Sequence, residues 1–204
     1  MRLNGVNALL RAMDRVQRQV AFGTAVGLTR TAQEAGRGVE RRIGQAFDRP
    51  TSFTRRAVFV QPARRERPVA AVGIKNAQAR YLELQEYGGE RRPARRALVV
   101  PSQVRRNAYG NLPRGAVRRL LARADTFSGK PRGRGSAAAG IWQRVGPGAA
   151  RGKGGRRIQL LVAYAPRARY RPRFGFGDTV IGVWRRVGAK TISAEVARAL
   201  ATAR

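Results

Sequence analysis

Any fold open to this chain has to accommodate forty-three lysines and arginines against eleven acids, a formal net charge of +32. Charge of that size opposes compaction of a lone monomer through self-repulsion. It favours surroundings in which polyanions or acidic protein surfaces supply the counter-charge. Only Lys75, Lys130, Lys153 and Lys190 are lysine. The other cations are arginine, which grips phosphate bidentately and tolerates interfaces better than lysine does. A GC-rich genome would also enrich arginine, but it accounts poorly for the shortage of acids.

The chain's 204 residues suffice to bury a core without staples. The absence of cysteine excludes disulfides and thiolate metal sites, and the absence of histidine removes the usual general base and the commonest neutral metal ligand. Most hydrolase and metalloenzyme chemistries fall with them. No apolar run approaches the roughly 20 residues needed to span a bilayer, and the first fifteen residues carry an acid among alternating polar and apolar positions, unlike a signal peptide. A soluble, intracellularly made protein with no membrane partner is therefore expected.

Apolar spacing orders the chain. Val6, Leu9, Leu10, Met13, Val16 and Val20 recur at three and four residues, predicting an amphipathic helix with arginines on its outer face. An Ala-rich pattern through Val39, Ile43 and Phe47 continues to Asp48-Arg49-Pro50. The pattern leaves open one long helix with a kink or two helices, and favours a hairpin of two with a break around Gln19 to Gly23. Arg56 to Gln61 and Val69 to Lys75 read as an antiparallel strand pair. Tyr81, Leu84 and Tyr87 predict a helix over Ala77 to Tyr87, stopped by Gly88-Gly89, and Ala97 to Val100 a short strand closed by Pro101. Pro113 suits the first position of a small basic helix running to about Ala124. GIWQRV (Gly140 to Val145) and RIQLLVAY (Arg157 to Tyr164) predict a hairpin joined by a long loop, and Asp178 is placed to cap a final helix.

The fold expected is α+β: an antiparallel sheet of about four or five strands, with the N- and C-terminal helices packed on one face and extended basic loops. A single domain, 1–204, would comprise a helical region at 1–48, a β-rich core at 55–164 with basic loops at 128–136 and 146–157, an extended arm at 165–177 and a helix at 178–203.

Candidate chemistry is sparse. GKPRGRG and GKGGRR lack the GxxxxGK followed by Ser or Thr of a phosphate loop. Asp125 with Asp178, or Glu83 with Glu86, could be drawn as carboxylate pairs, yet nothing places a substrate beside them, and Ser128 and Ser136 have no histidine base. No enzyme activity, cofactor or metal is expected. The flexible loops offer Lys130, Arg132, Arg134, Arg151, Lys153, Arg156 and Arg157 as contacts to nucleic acid or to acidic partners. The Pro-stiffened segment PRARYRPRFGF interleaves arginine with aromatics. Its Tyr170, Arg171, Arg173, Phe174 and Phe176, with the acid cluster Glu83, Glu86 and Glu90, are candidates for subunit contacts. The same mixture can also stack on nucleic acid, and the acid cluster can be local compensation in a basic protein.

Several stretches carry a resemblance: LTRTAQEA (Leu28 to Ala35), FDRPTSFTRRAVFV (Phe47 to Val60), YLELQEYGGERRP (Tyr81 to Pro93), NAYGNLPRG (Asn107 to Gly115), GIWQRV with IQLLVAY, and YRPRFGFGDTV (Tyr170 to Val180). In order and phrasing they are similar to the tailed-phage minor tail protein Z, or tail-completion, family, related in layout to head–tail neck joining proteins. The resemblance implies a virion structural protein of the tail or neck, made in the host cytoplasm. It implies a homo-oligomeric ring or a small number of copies, with other neck or tail proteins (tail terminator, connector or portal) and genomic DNA as candidate partners, helping the tail join the DNA-filled head. The competing expectation is a nonspecific nucleic-acid-binding basic protein associated with RNA or DNA.

Overall fold

In a computed structural model of the chain, residues 4–94, 96–132, 137–147 and 157–202 are described. The fold is α+β, with long N- and C-terminal helices and a four-stranded antiparallel sheet. The chain divides into two compact units: Met1–Glu86 with Pro172–Arg204, and the intervening Tyr87–Arg171.

The first unit is built on helix α1 (Asn4–Ala46), which at 1.5 Å per residue is about 65 Å long. It runs unbroken through Gln19 to Gly23, so the expected helical hairpin is corrected to one helix. Two of its glycines stand where packing needs them small. A Cβ on Gly23 would lie 2.6 Å from the Val196 Cα, and one on Gly27 2.6 Å from the Ile192 Cα. Both partners belong to α5 (Phe176–Ala201), which runs antiparallel along α1. Backbone-to-backbone approach of this kind offsets the roughly 1 kcal/mol that each glycine costs a helix relative to alanine. Arg30 pairs with the buried carboxylate of Glu195 across this contact, and Arg198 joins it from the next turn of α5.

On another side α1 meets the hairpin β1 (Val58–Gln61) and β2 (Ala71–Ile74), paired antiparallel as the pattern predicted, with Val58 opposite Ile74. A one-turn helix, α2 (Ser52–Arg55), is capped by the Thr51 hydroxyl. Helix α3 (Asn76–Tyr87) ends at Gly88, φ +75°, a left-handed stop. Val39, Ile43, Ala57, Leu82 and Phe174 form the buried core, with Phe47, Tyr81 and Phe176 packed around it.

The second unit holds the strands β3 (Gly89–Arg91), β4 (Leu98–Pro101), β5 (Thr126–Gly129), β6 (Gly140–Val145), β7 (Arg157–Ala165) and β8 (Ala168–Tyr170). Four of them form the sheet β4-β7-β6-β5, all antiparallel, while β3 pairs with β8. β6 and β7 are the predicted hairpin, with an irregularity between Ile141 and Trp142. The short helix α4 (Ala116–Leu121) buries Leu120 with Ile141, Leu161 and Val162. It is briefer than expected from Pro113: Gly115 stands at φ +74° before it, and the Thr126 hydroxyl donates to the carbonyls of Leu120 and Arg123 behind it.

Candidate polyanion and subunit contact surfaces

Charge is unevenly shared along the chain. Tyr87–Arg171 holds twenty-one of the forty-three cations and two of the eleven acids, Glu90 and Asp125, leaving twenty-two and nine to the rest. Both acids of this unit are already engaged. The Asp125 carboxylate accepts two hydrogen bonds from Arg123, at 2.9 and 2.6 Å, and a third from the Gln143 side chain at 2.9 Å. The Arg123 guanidinium, aided by Gln143, holds the Asp125 carboxyl below its ordinary range, and Asp125 raises Arg123 in return. Glu90 is shared by Arg92 at 3.2 Å, Arg167 at 3.4 Å and Arg169 at 3.8 Å.

The other cations of this unit have no acid to meet among the described residues. Lys130, Arg132 and Arg157, expected as phosphate or acidic-partner contacts, are exposed. Arg134, Arg151, Lys153 and Arg156 lie outside the described residues. Ser128 and Gly129, read from sequence as loop, belong to β5, whose Ser128 hydroxyl hydrogen-bonds that of Tyr164. On α4 and just before it in the chain lie Arg105, Arg106, Arg114, Arg118 and Arg119, all exposed, the last three being the polar side of the small basic helix expected from Pro113. Two of them are held in place. Arg119 donates to the Arg114 carbonyl at 3.0 Å and Arg106 to that of Pro101 at 3.0 Å. On β6, Arg144 lies 4.8 Å from the centroid of the Phe127 ring of β5. An open groove of about 1090 Å³ is lined by Val99, Val117, Leu121 and Tyr164, with Arg96 the one lining cation among the described residues.

Several of the residues expected at subunit contacts already have partners within their own chain, and Phe174, being buried, is corrected from a subunit contact to a core residue. Phe174 is 1% exposed, tilted against Phe47 at 5.6 Å and Phe176 at 6.1 Å between ring centroids, so it is a core residue. Arg173 donates to the Gln85 side chain at 2.7 Å and lies over the Phe47 ring at 5.2 Å, while the amides of Arg173 and Phe174 donate to the Gln85 carbonyl. Arg42 fixes the same turn from α1, donating to the carbonyls of Phe174 at 2.7 Å and Arg173 at 2.9 Å.

Glu86 is a helix cap. Its carboxylate accepts the amides of Phe176 at 2.8 Å and Gly177 at 3.0 Å, where the first turn of α5 leaves donors free and the helix dipole favours an anion. Asp178, expected to cap this helix, stands within its first turn instead, and Gly175 at φ +67° precedes the helix. Tyr170 is half-buried in β8 opposite Gly89, so part of the expected free arm is paired strand. Glu83 and Arg171 are exposed and make no ion pair among the described residues.

No family model, curated protein or solved structure matches this chain. Among the described residues no group of three or more acids could hold a metal ion, and no helix is long and apolar enough to cross a membrane.

Proposed function

We propose that this chain is a structural component of a tailed-bacteriophage virion, a tail-completion or head–tail neck protein. It oligomerises, helps join the tail to the DNA-filled head, and turns an arginine surface toward DNA or acidic neighbours. The observation that carries the reading is the charge of Tyr87–Arg171: twenty-one cations and two acids, with both acids engaged by arginines of the same unit. A surface of that kind finds its counter-charge outside the protomer, in phosphate or in acidic protein. The station at the neck rests on the sequence resemblance.

Locating the chain in intact particles tests this. Labelling confined to the neck or tail, with unjoined heads and tails accumulating when the gene is deleted, is the expected result. Particles that lack the chain overturn it. The same arginines suit the rival reading, a basic nucleic-acid-binding protein, and that reading predicts tight, salt-sensitive binding by the isolated monomer together with absence from particles.

A further inference from the structure

Among the described residues nothing covers the early apolar face of α1. Val6, Leu9, Leu10, Met13, Val16 and Val20 are between 37% and 61% exposed, although they share one face of a formed helix. Five of them, Val6, Leu9, Met13, Val16 and Val20, follow a strict three-then-four alternation, the a and d positions of a heptad. The next two positions in that alternation are Gly23 and Gly27, where α5 packs against α1. The exposed stripe is therefore the continuation of an interface that already exists. α5 ends at Ala201, little more than a turn beyond Val196, the neighbour of Gly23, so it leaves the earlier part of the stripe uncovered.

We infer that this stripe docks on the same stripe of a second copy, forming a two-stranded coiled coil over Val6–Val20, about 22 Å at 1.5 Å per residue. Charge selects that occupant. The positions flanking the seam are Leu10, Ala12, Gln17 and Gln19, all neutral, while Arg11, Arg15 and Arg18 lie on the opposite side of the helix. Two copies of a chain of net charge +32 can thus meet here without setting arginine against arginine. An acidic partner would find no cation beside the seam to recognise. Valine at two of the three a positions and Leu9 at a d position favour two strands. The helix is already nucleated by the body of α1, so docking does not bear the cost that makes isolated helices of this length marginal. Two copies would cover on the order of 1,000 Å² together, near the lower bound for a specific interface, so association should depend on concentration.

The inference holds whatever the chain's station in a particle. Sedimentation of the full chain in 0.5 M salt from about 1 to 100 μM tests it, with Met13→Lys as the disrupting variant. Met13 is exposed, so the variant should keep the wild-type helix signal. A reversible dimer whose midpoint moves at least about tenfold in Met13→Lys is expected, because a lysine in the seam would be buried unpaired. The chain has no cysteine, which permits a second readout. Met13 is the midpoint of the stripe and an a position, so in the parallel pair that these a and d residues favour it meets its counterpart directly. Met13→Cys should therefore oxidise to a covalent dimer and Arg18→Cys, on the far side, should not. Equal crosslinking of the two, or a monomer at all concentrations, overturns the inference, and so does a monomer that binds anionic lipid vesicles through the stripe. An oligomer whose mass Met13→Lys leaves unchanged also overturns it, while leaving the assembly role standing on another surface.

Discussion

Gly27 and Gly44 both sit within α1, and they differ in what a methyl group would meet. At Gly44 a Cβ has nothing within 4 Å, whereas at Gly27 it would stand 2.6 Å from the Ile192 Cα, 3.1 Å from its Cγ1 and 3.3 Å from its Cβ. Gly44→Ala should therefore stabilise the helix by up to about 1 kcal/mol through propensity alone. Gly27→Ala gains the same amount and then loses more. Its nearest neighbour is backbone, which cannot swing aside, so α5 must retreat by about 1 Å to reach ordinary van der Waals separation. A gap of that size forfeits a quarter to a half of each affected dispersion contact. With the overpacking cost at the upper end of its usual range, about 3 kcal/mol, the net is a loss of about 2 kcal/mol.

The two variants, identical in chemistry, should thus lie about 3 kcal/mol apart with opposite signs relative to the wild type. Urea unfolding followed by circular dichroism at 222 nm, where the two long helices dominate the signal, measures the difference. In a thermal scan it corresponds to roughly 10 °C for a unit of this size. If Gly27→Ala raises the midpoint as much as Gly44→Ala does, α1 and α5 do not approach as described, and the account of why the glycines leave α1 unbroken is wrong.

Three further outcomes follow from the contacts. Glu86→Gln keeps the shape of the cap on α5 but loses its charge and one of two acceptors, and should lower stability by about 1–2 kcal/mol, with Glu86→Ala losing more; equal stability of all three proteins would show that the cap is idle. Asp125 is held below its ordinary range chiefly by Arg123, so its contribution to stability is present above the unfolded value near pH 4 and is lost as pH falls through the lower folded value. Acid unfolding monitored by Trp142 fluorescence should accordingly lose part of its pH dependence below pH 4 in Asp125→Asn, and an unchanged acid limb would refute the assignment. If the surface around α4 meets duplex DNA, Arg114→Ala and Arg118→Ala should each reduce the slope of log affinity against log salt by about 0.9, and an unchanged slope would remove those two from the contact.

The strands were legible where the residues alternate or branch. β6 and β7 coincide with GIWQRV and RIQLLVAY to within a residue, and β1 pairs with β2 as the apolar content of VFVQ and AVGI suggests. Three short strands were not. β3 and β8 carry Gly, Glu, Arg and Ala with Tyr170 their one strand-favouring residue, and are strands because they pair with each other, while β5 begins in a turn fixed by Asp125 and Thr126. Nor did the sequence disclose the continuity of α1. Helix propensity weighs each glycine as a loss, and only a partner sequence some 165 residues away, Glu195 and Val196 beside Arg30 and Gly23, converts that loss into close packing.

The candidate site shows the same limit more sharply. Arginines interleaved with aromatics in RYRPRFGF look alike whether the aromatics face a neighbour, a nucleic acid or the protein's own core, because composition carries no direction. Direction comes here from three groups distant in sequence: the Gln85 carbonyl that takes two successive amides, Arg42 reaching across from α1, and the Glu86 carboxylate at the start of α5. Together they turn Phe174 inward and leave Arg171 exposed. Acids that seemed a socket for another subunit are, in Glu86, the anchor of the chain's last helix. Among the described residues, the arginines around α4 are exposed without acid partners and the early face of α1 is exposed without a partner. Those are two plain patterns, a basic short helix and an amphipathic long one, whose significance depends on the structure providing no cover for them.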